Sequence, residues 1–562
     1  MRRAIPLAGI TLITLLLGVV AGFGSTAAWA EVGAPRGIFR SGHPGEPDSL
    51  DPHRAVAAPS LVVNADLFEG LTTFDAGGRP IPGAAESWSV SGDGREYRFR
   101  LRRGLVYSDG VPIRAQDFVW SLRRLADPAT ASAGLAPWVD LLENGRDVLT
   151  GIKPPTALGV SASDPRTVVI RLSRAAPYFP AITALPAFAP MPRHVIERHG
   201  NAWTRAEHFV SNGPFVLQEW IPGQVVRTRA NPRFHDAANV RLAGVEYYPI
   251  NDLNAGLRRF QTGQLDALTN FPPERLDWLR QNLPSELRLA PSLGVTVYVI
   301  NHRLEKFKDP RVRRALTMSV DRRLLTERLV RAGDQPTNRF VPPALYVATD
   351  ADSARSNSAD PSTLPLTPSP NTLNRARGLL REAGYHSGNP LTVEILYHAS
   401  EEHQKVALAV AAMWQQVGVI ARLRKAERQV VEVATRNGDF EIARAAWFAP
   451  YEDPEGYLSF LKSSSPTNAG AWNRNDYDAL LLSASQASDT TSRLDRLQAA
   501  ERVALDDVAV IPLYYLVSRR LVSARVKGWR NDNITALRPA RWLSISPVGK
   551  QNATVPANRQ RR

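Results

Sequence analysis

The chain has 562 residues, 44% hydrophobic and 22% charged, which is the profile of a soluble globular protein long enough for several domains or one large two-lobed unit. It contains no cysteine, which excludes a disulfide framework, a thiolate nucleophile, a cysteine-based zinc site and a lipoprotein anchor. The formal charge of +15 suits nucleic acid, anionic lipid or an anionic solute, but the arginines are scattered and not clustered with stacking aromatics, so no nucleic acid partner is expected.

Met1–Arg3 make a short basic start, Leu7–Val20 are apolar and uncharged, and Ala28-Trp29-Ala30 place small residues where a signal peptidase reads them. The apolar run falls short of the ~20 residues of a bilayer span. These features predict export to a Gram-negative periplasm with cleavage after Ala30. No later segment reads as a membrane span.

In "EYRFRL" (96–101), Tyr97, Phe99 and Leu101 alternate with Arg98 and Arg100, which predicts a half-buried strand. Gly92-Asp93-Gly94 before it reads as a hairpin turn and lacks the third glycine or lysine of a phosphate loop. After a turn at Asp109-Gly110, Phe118, Leu122 and Leu125 share one face of a helix that ends at Asp127-Pro128. Further on, "GVTVYVIN" (294–301) reads as a buried strand, and Val312, Ala315 and Leu316 as the apolar stripe of a helix with its arginines outside.

The stretch 348–370 is rich in Ser, Pro and Asp and is expected to be a flexible surface loop. Helix and strand resume with "RARGLLREAGY" and "LTVEILYH"; "AVIPLYYLVSRRLVSARV" is strand-like, and a disordered basic tail is expected over 549–562. No internal repeat is evident. The alternation of strands and helices predicts an α/β (mixed α+β) fold with mixed sheets.

Catalytic signatures are absent from this sequence. His194 and His199 stand five apart, whereas a zinc pair on one helix face needs four, so no metal is expected there. There is no G-x-S-x-G elbow and no S-x-x-K with K-T-G. Glu452 and Asp453 form a carboxylate pair, but adjacency in sequence does not set the separation a glycosidase requires. Neither an enzyme nor a cofactor is expected, with an exported hydrolase acting on peptides or glycans as the distant alternative.

Six ordered stretches carry a resemblance: "SLDPHRA", "DLFEGLTTFDAGGRPIPGAAESW", "FRLRRGLVYSDGVPIRAQDFVWSLRR", "SNGPFVLQEW", "INHRLEKFKDPRVRRALTMSVDR" and "ARGLLREAGY". In order and spacing, from Ser49 to Leu543, the chain resembles the large periplasmic oligopeptide-binding proteins of ABC importers. The resemblance implies two lobes hinged around a cleft. Residues 31–68, 193–292 and 511–548 would form the first lobe, 69–192 a subdomain inserted in it, and 293–510 the second lobe. It also implies a small solute as ligand, an oligopeptide by default, a permease complex in the inner membrane as partner, and a monomeric receptor. Other relatives bind nickel complexes, opines or oligosaccharides.

By the same resemblance, a strand at Ala445-Ala446-Trp447 would pair with the ligand backbone as an added strand. Trp447 and Phe448 would line its side-chain pockets. His403, Arg436 and Arg444 fall where the family places basic groups for ligand carboxylates, and Ala58, Asn270 and Tyr514 at ligand-facing positions. The aspartate that holds a peptide's α-ammonium in relatives is replaced by Pro450, and acidic or tyrosine positions align with Val56, Gly134 and Val299. Glu452 or Asp453 is the candidate substitute anion. Loss of acidic groups beside retained basic ones suits a ligand of net negative charge, such as a blocked or cell-wall peptide.

Overall fold

The computed structural model describes residues 37–132, 135–346, 364–449, 451–487, 489–535 and 537–546. The expected leader and its cleavage site, Gly134, Pro450, most of the 348–370 loop and the tail over 549–562 lie outside the described residues.

The periodicity reading holds where side chains decide locally. Glu96–Leu101 is a strand with Tyr97, Phe99 and Leu101 buried, entered from the Ala85–Val90 strand through a turn whose Gly94 takes φ +69°. Such a φ suits glycine because it has no Cβ to clash. With Thr167–Arg171 and Val160–Asp164, these strands form an antiparallel four-stranded sheet. Helix Ala115–Ala126 buries Phe118, Leu122 and Leu125, and ends where Asp127, preceding a proline, turns extended. Together they enclose one core running from Leu71 to Phe188.

The framework is a mixed eleven-stranded sheet. Two long antiparallel strands, Leu287–Ile300 and Val510–Val522, stand at its centre. On one side follow Ile442–Phe448, Thr392–His398 and Ile420–Ala426; on the other Ala267–Leu268, Ile38–Pro44, Gly244–Ile250, Val225–Ala230 and Phe215–Ile221. Gln335–Pro336 pairs separately on Val510–Val522. Each half has its own pair of cores. Tyr298 and Ile300 point into one and Val295, Val297 and Val299 into another, so this strand is buried on both faces and its run of apolar residues needs no polar alternation. Phe39, Val245 and Phe215 lie in a core of the other half, with Ile250, Leu257 and Leu268 in its companion. The central ladder joins the halves, and its register breaks between Pro291 and Val295. That break is the natural place for a bend.

Helix Pro310–Met318 buries Val312, Ala315 and Leu316 as expected, but its arginines are not all outside. Arg313 is buried, donating to the carbonyls of Phe307, Lys308 and Asp507 and pairing with the Asp507 carboxylate at 2.5 Å. A distant acid and free carbonyls make burial of this cation tolerable. The end of the 348–370 stretch is anchored as well: the Arg322 N–H donates to the Leu366 carbonyl, and Ser369 caps helix Pro370–Glu382. No helix among the described residues is long and apolar enough to cross a membrane.

Candidate ligand-binding cleft

Strand Ile442–Phe448 is paired along its whole length on one edge, from Ile300 opposite Ile442 to Gly294 opposite Phe448. On the other edge only Ile442 and Ala443 are matched, to Ile395 and Leu396 of Thr392–His398. The edge of Arg444–Phe448 is therefore unpaired, and an extended chain can complete it by main-chain hydrogen bonds alone.

Side chains alternate across this strand. Trp447 faces the core, half-buried, with its indole N–H donating to the Gly456 carbonyl at 2.9 Å and its ring 4.4 Å from that of Phe460. Ala445 lies on the same face, and its small side chain leaves the backbone accessible. Phe448 points the other way and is 58% exposed. It lies over Gly294, where an added Cβ would sit 2.7 Å from the Phe448 ring and 2.9 Å from Leu516.

Arg444 shares the face of Phe448. It makes a long hydrogen bond, 3.4 Å, to the Thr296 hydroxyl, and its Nε is buried without a partner. Three more buried polar atoms without partners surround it: the hydroxyls of Tyr298 and Tyr514 and Nδ1 of His403. Leaving such groups unsatisfied costs about 1–3 kcal/mol each, and their convergence marks a site for a polar ligand group. Burial, reinforced by the charge of Arg444 and by His398, pushes the His403 pKa down to about 3, so its ring is neutral at neutral pH. The His398 ring packs edge-on at 3.9 Å and is likewise shifted down by burial and Arg444. Burial pushes the Tyr514 hydroxyl up to about 12.

The other residues singled out from sequence lie apart from this group. Asn270 follows Ala267–Leu268 and is half-buried, its Oδ1 accepting from the Phe271 N–H. Ala58 opens helix Ala58–Leu67 and is exposed, as is Val56. Arg436 is exposed near the end of helix Arg428–Asn437; from that helix it is Arg428, paired with Glu432, whose charge reaches His398. Val299 is buried in the core beside the strand. Sequence reading passed over Tyr298 and His398. Both sit in apolar strand patterns, and a buried hydroxyl or imidazole gives no local signal there.

Asp453 is committed elsewhere. Arg493 grips both its oxygens, at 2.7 and 2.9 Å, and donates also to Glu455, which pairs with Arg174 at 3.3 Å. This buried carboxylate has no capacity for a ligand ammonium, whereas Glu452 next to it is exposed. Among the described residues there is no group of three or more metal-ligating side chains.

The family model for bacterial extracellular solute-binding proteins, family 5 Middle, matches residues 79–469. The periplasmic oligopeptide-binding protein OppA of Salmonella typhimurium is 33% identical over 534 residues, 92% of this chain and 96% of its own. The probable deoxycholate-binding periplasmic protein YgiS of Escherichia coli is 35% identical over 505 residues, 89% of this chain and 92% of its own. Among solved structures, the Escherichia coli murein tripeptide binding protein MppA superposes with a TM-score of 0.77 at 32% identity, covering 91% of this chain and 99% of that one. Haemophilus influenzae OppA in complex with RPPGFSPFR gives a TM-score of 0.74 at 30% identity, covering 91% and 99%. The architecture is the two-lobed one of these binding proteins. This chain belongs to family 5 of the bacterial extracellular solute-binding proteins, the receptors of ABC importers.

Proposed function

We propose that the protein is a periplasmic, monomeric receptor that takes an oligopeptide into its cleft and delivers it to an inner-membrane ABC permease, without chemical change to the ligand. The leader is removed after Ala30. The first lobe comprises 31–68, 193–292 and 511–548, with 69–192 inserted in it, and the second lobe 293–510; the lobes close about the register break in the central ladder. Closure couples affinity to delivery, since the permease reads the surface that only the closed form presents.

One observation carries this reading: the unpaired edge of Arg444–Phe448 ends at the unsatisfied group of Arg444, His403, Tyr298 and Tyr514. The edge takes a peptide backbone and the group its terminal carboxylate. Ala58 and Asn270 are read as ligand-facing positions, and Arg436 as a further basic group for the carboxyl end of a ligand of different length.

A second reading, a blocked or cell-wall peptide or another amphipathic carboxylate, is favoured by the engagement of Asp453 with Arg493, which leaves it unable to hold an α-ammonium. Thermal unfolding of ligand-stripped protein with free tri- to pentapeptides, and with the same peptides N-acetylated, separates the two. A ligand at 100 times its Kd adds about 2.7 kcal/mol. Stabilisation by free peptides alone supports ammonium recognition, equal stabilisation supports a blocked cargo, and no response to either contradicts the peptide reading.

A further inference from the structure

Arg520 is half-buried, with its Nε enclosed and the ends of its guanidinium open. Among the described residues it makes no hydrogen bond or ion pair, and its Nε is buried without a partner. Arg322 provides an internal comparison: burial lowers both guanidinium pKa values to about 10, but Arg322 donates to the carbonyls of Pro512, Thr317 and Val320 and to the Thr317 hydroxyl. Arg322 is a satisfied structural arginine. Arg520 has nothing equivalent: its half-buried guanidinium faces no acid or carbonyl among the described residues, so it stays available to an anionic group.

Its position explains where such a group would come from. Val522 and Leu521 pair with Ala267 and Leu268, which in turn pair with Ser41 and Gly42. Continuing the registers puts Arg520, Thr269 and His43 in one row, at the carboxyl ends of the parallel strands, where open α/β sheets hold their ligands. The contacts agree. His43 hydrogen-bonds Ser41 at 2.8 Å and meets the Thr269 hydroxyl at 3.4 Å, and burial with the charge of Arg520 pushes its pKa down to about 3, so its ring is neutral beside Arg520. The Trp529 ring lies 5.7 Å from the Arg520 guanidinium, with Arg538 5.5 Å from the same ring. Arg538 is occupied by the carbonyls of Thr535 and Asn533. The cross-strand neighbour is another cation, Arg288.

Along Val510–Val522, alternate residues share a face, so Arg520 and Leu516 project to the side of Tyr514, which borders Arg444. Tyr514 and Arg520 are separated by roughly 20 Å along the strand at ~3.3 Å per residue, too far for one carboxylate to reach both arginines.

We propose that Arg520 holds a second anionic group of the bound solute, so that the cargo is a peptide carrying an acidic side chain besides its terminal carboxylate. This rests on the peptide reading above and narrows it. Neither Arg444 nor its surrounding hydroxyls are needed for this second contact.

The test is calorimetric titration of wild type, Arg520→Gln and Arg520→Lys with N-acetylated pentapeptides bearing one glutamate at each position in turn, and with the matching glutamine series. At one position glutamate binds about tenfold tighter than glutamine to wild type, the ratio collapses to near one in Arg520→Gln, and Arg520→Lys retains part of it. Ligand-free Arg520→Gln unfolds at the same or a higher temperature than wild type, which a structural arginine would not allow. No glutamate preference at any position, or a preference that survives Arg520→Gln, overturns the inference while leaving the peptide reading intact. If no peptide binds, that reading fails, and thermal shifts with glutarate and inorganic phosphate decide this one. A shift with glutarate that Arg520→Gln abolishes supports an anion subsite in a non-peptide receptor. A shift with phosphate alone identifies a small-ion site and overturns the inference, as does no shift with either.

Discussion

Tyr178 and Tyr451 stack face to face, with ring centroids 3.9 Å apart and planes 9° from parallel. Tyr178 belongs to the unit built on the four-stranded sheet, whereas Tyr451 lies just beyond strand Ile442–Phe448 and is buried in that unit's core. Trp138 packs against Tyr451 at 5.8 Å, and the Arg174–Glu455 pair closes the rim. The strand proposed to receive the ligand is thereby fastened to a separately cored part of the molecule.

Removing one ring tests that fastening. Tyr178→Ala loses a buried aromatic and its stacking, an expected cost of about 3–5 kcal/mol in unfolding free energy, while Tyr178→Phe keeps the rings and costs far less. In small-angle scattering the alanine variant is expected to be more expanded than wild type in the presence of ligand. A scattering profile unchanged by Tyr178→Ala contradicts a latch.

Arg444 and His403 predict a pH dependence of binding. His403 is neutral because burial and Arg444 depress its pKa to about 3. A carboxylate arriving beside it raises that pKa, so binding takes up protons and tightens as the pH falls. Calorimetry in two buffers of different protonation heat should register the uptake. Arg444→Ala should weaken a carboxylate ligand by about 3 kcal/mol, on the order of 150-fold. An affinity independent of both pH and Arg444 would place the carboxylate elsewhere.

Asp453 and Glu452 are expected to behave differently. Asp453→Asn breaks a bidentate buried pair with Arg493, at a cost of about 3–5 kcal/mol in stability, and leaves the ratio of free to acetylated peptide binding unchanged. Glu452→Gln leaves stability within about 0.5 kcal/mol, as expected of an exposed site. If Glu452 is the ammonium group's partner, the same change lowers the ratio. A shifted ratio in Asp453→Asn would contradict the assignment.

Acid lability follows from buried histidines. His43, His53, His302 and His403 have pKa values pushed down by burial to about 3, 3, 4 and 3, so each takes up a proton on unfolding below about pH 6.5. Asp66 and Asp334 oppose them. Burial raises these to about 7 and about 6, and each releases a proton on unfolding between pH 3.8 and its folded value. Near pH 5, four taken up less two released leaves a net uptake of about two from these six groups, whose share of stability falls by roughly 2.7 kcal/mol per unit of acidification. Unfolding midpoints between pH 4.5 and 6 measure the slope. Asp66→Asn removes one released proton and should steepen it; a flat profile contradicts the assignment.

What sequence revealed and what it hid have a common physical cause. The strand Glu96–Leu101 and helix Ala115–Ala126 were legible because their burial follows local periodicity. The ligand strand was legible only through resemblance, since "ARAAWF" has no pattern that marks an unpaired edge. Arg313 reads as a surface residue until Asp507 is brought to it by the fold. Tyr451 likewise gives no sign that it is buried in the core from Leu71 to Phe188. The lack of an acidic partner for Arg520 among the described residues depends on which carbonyls and acids the fold leaves out of reach, and this the residue type alone does not encode.

Hydrogen–deuterium exchange over Arg444–Phe448, with and without a pentapeptide that raises the unfolding midpoint, tests the central claim most directly. The account predicts that the outward-facing amides of this segment exchange freely in the empty protein and become strongly protected when the peptide pairs with them. Exchange there that is unchanged by a stabilising peptide would contradict backbone pairing at this edge.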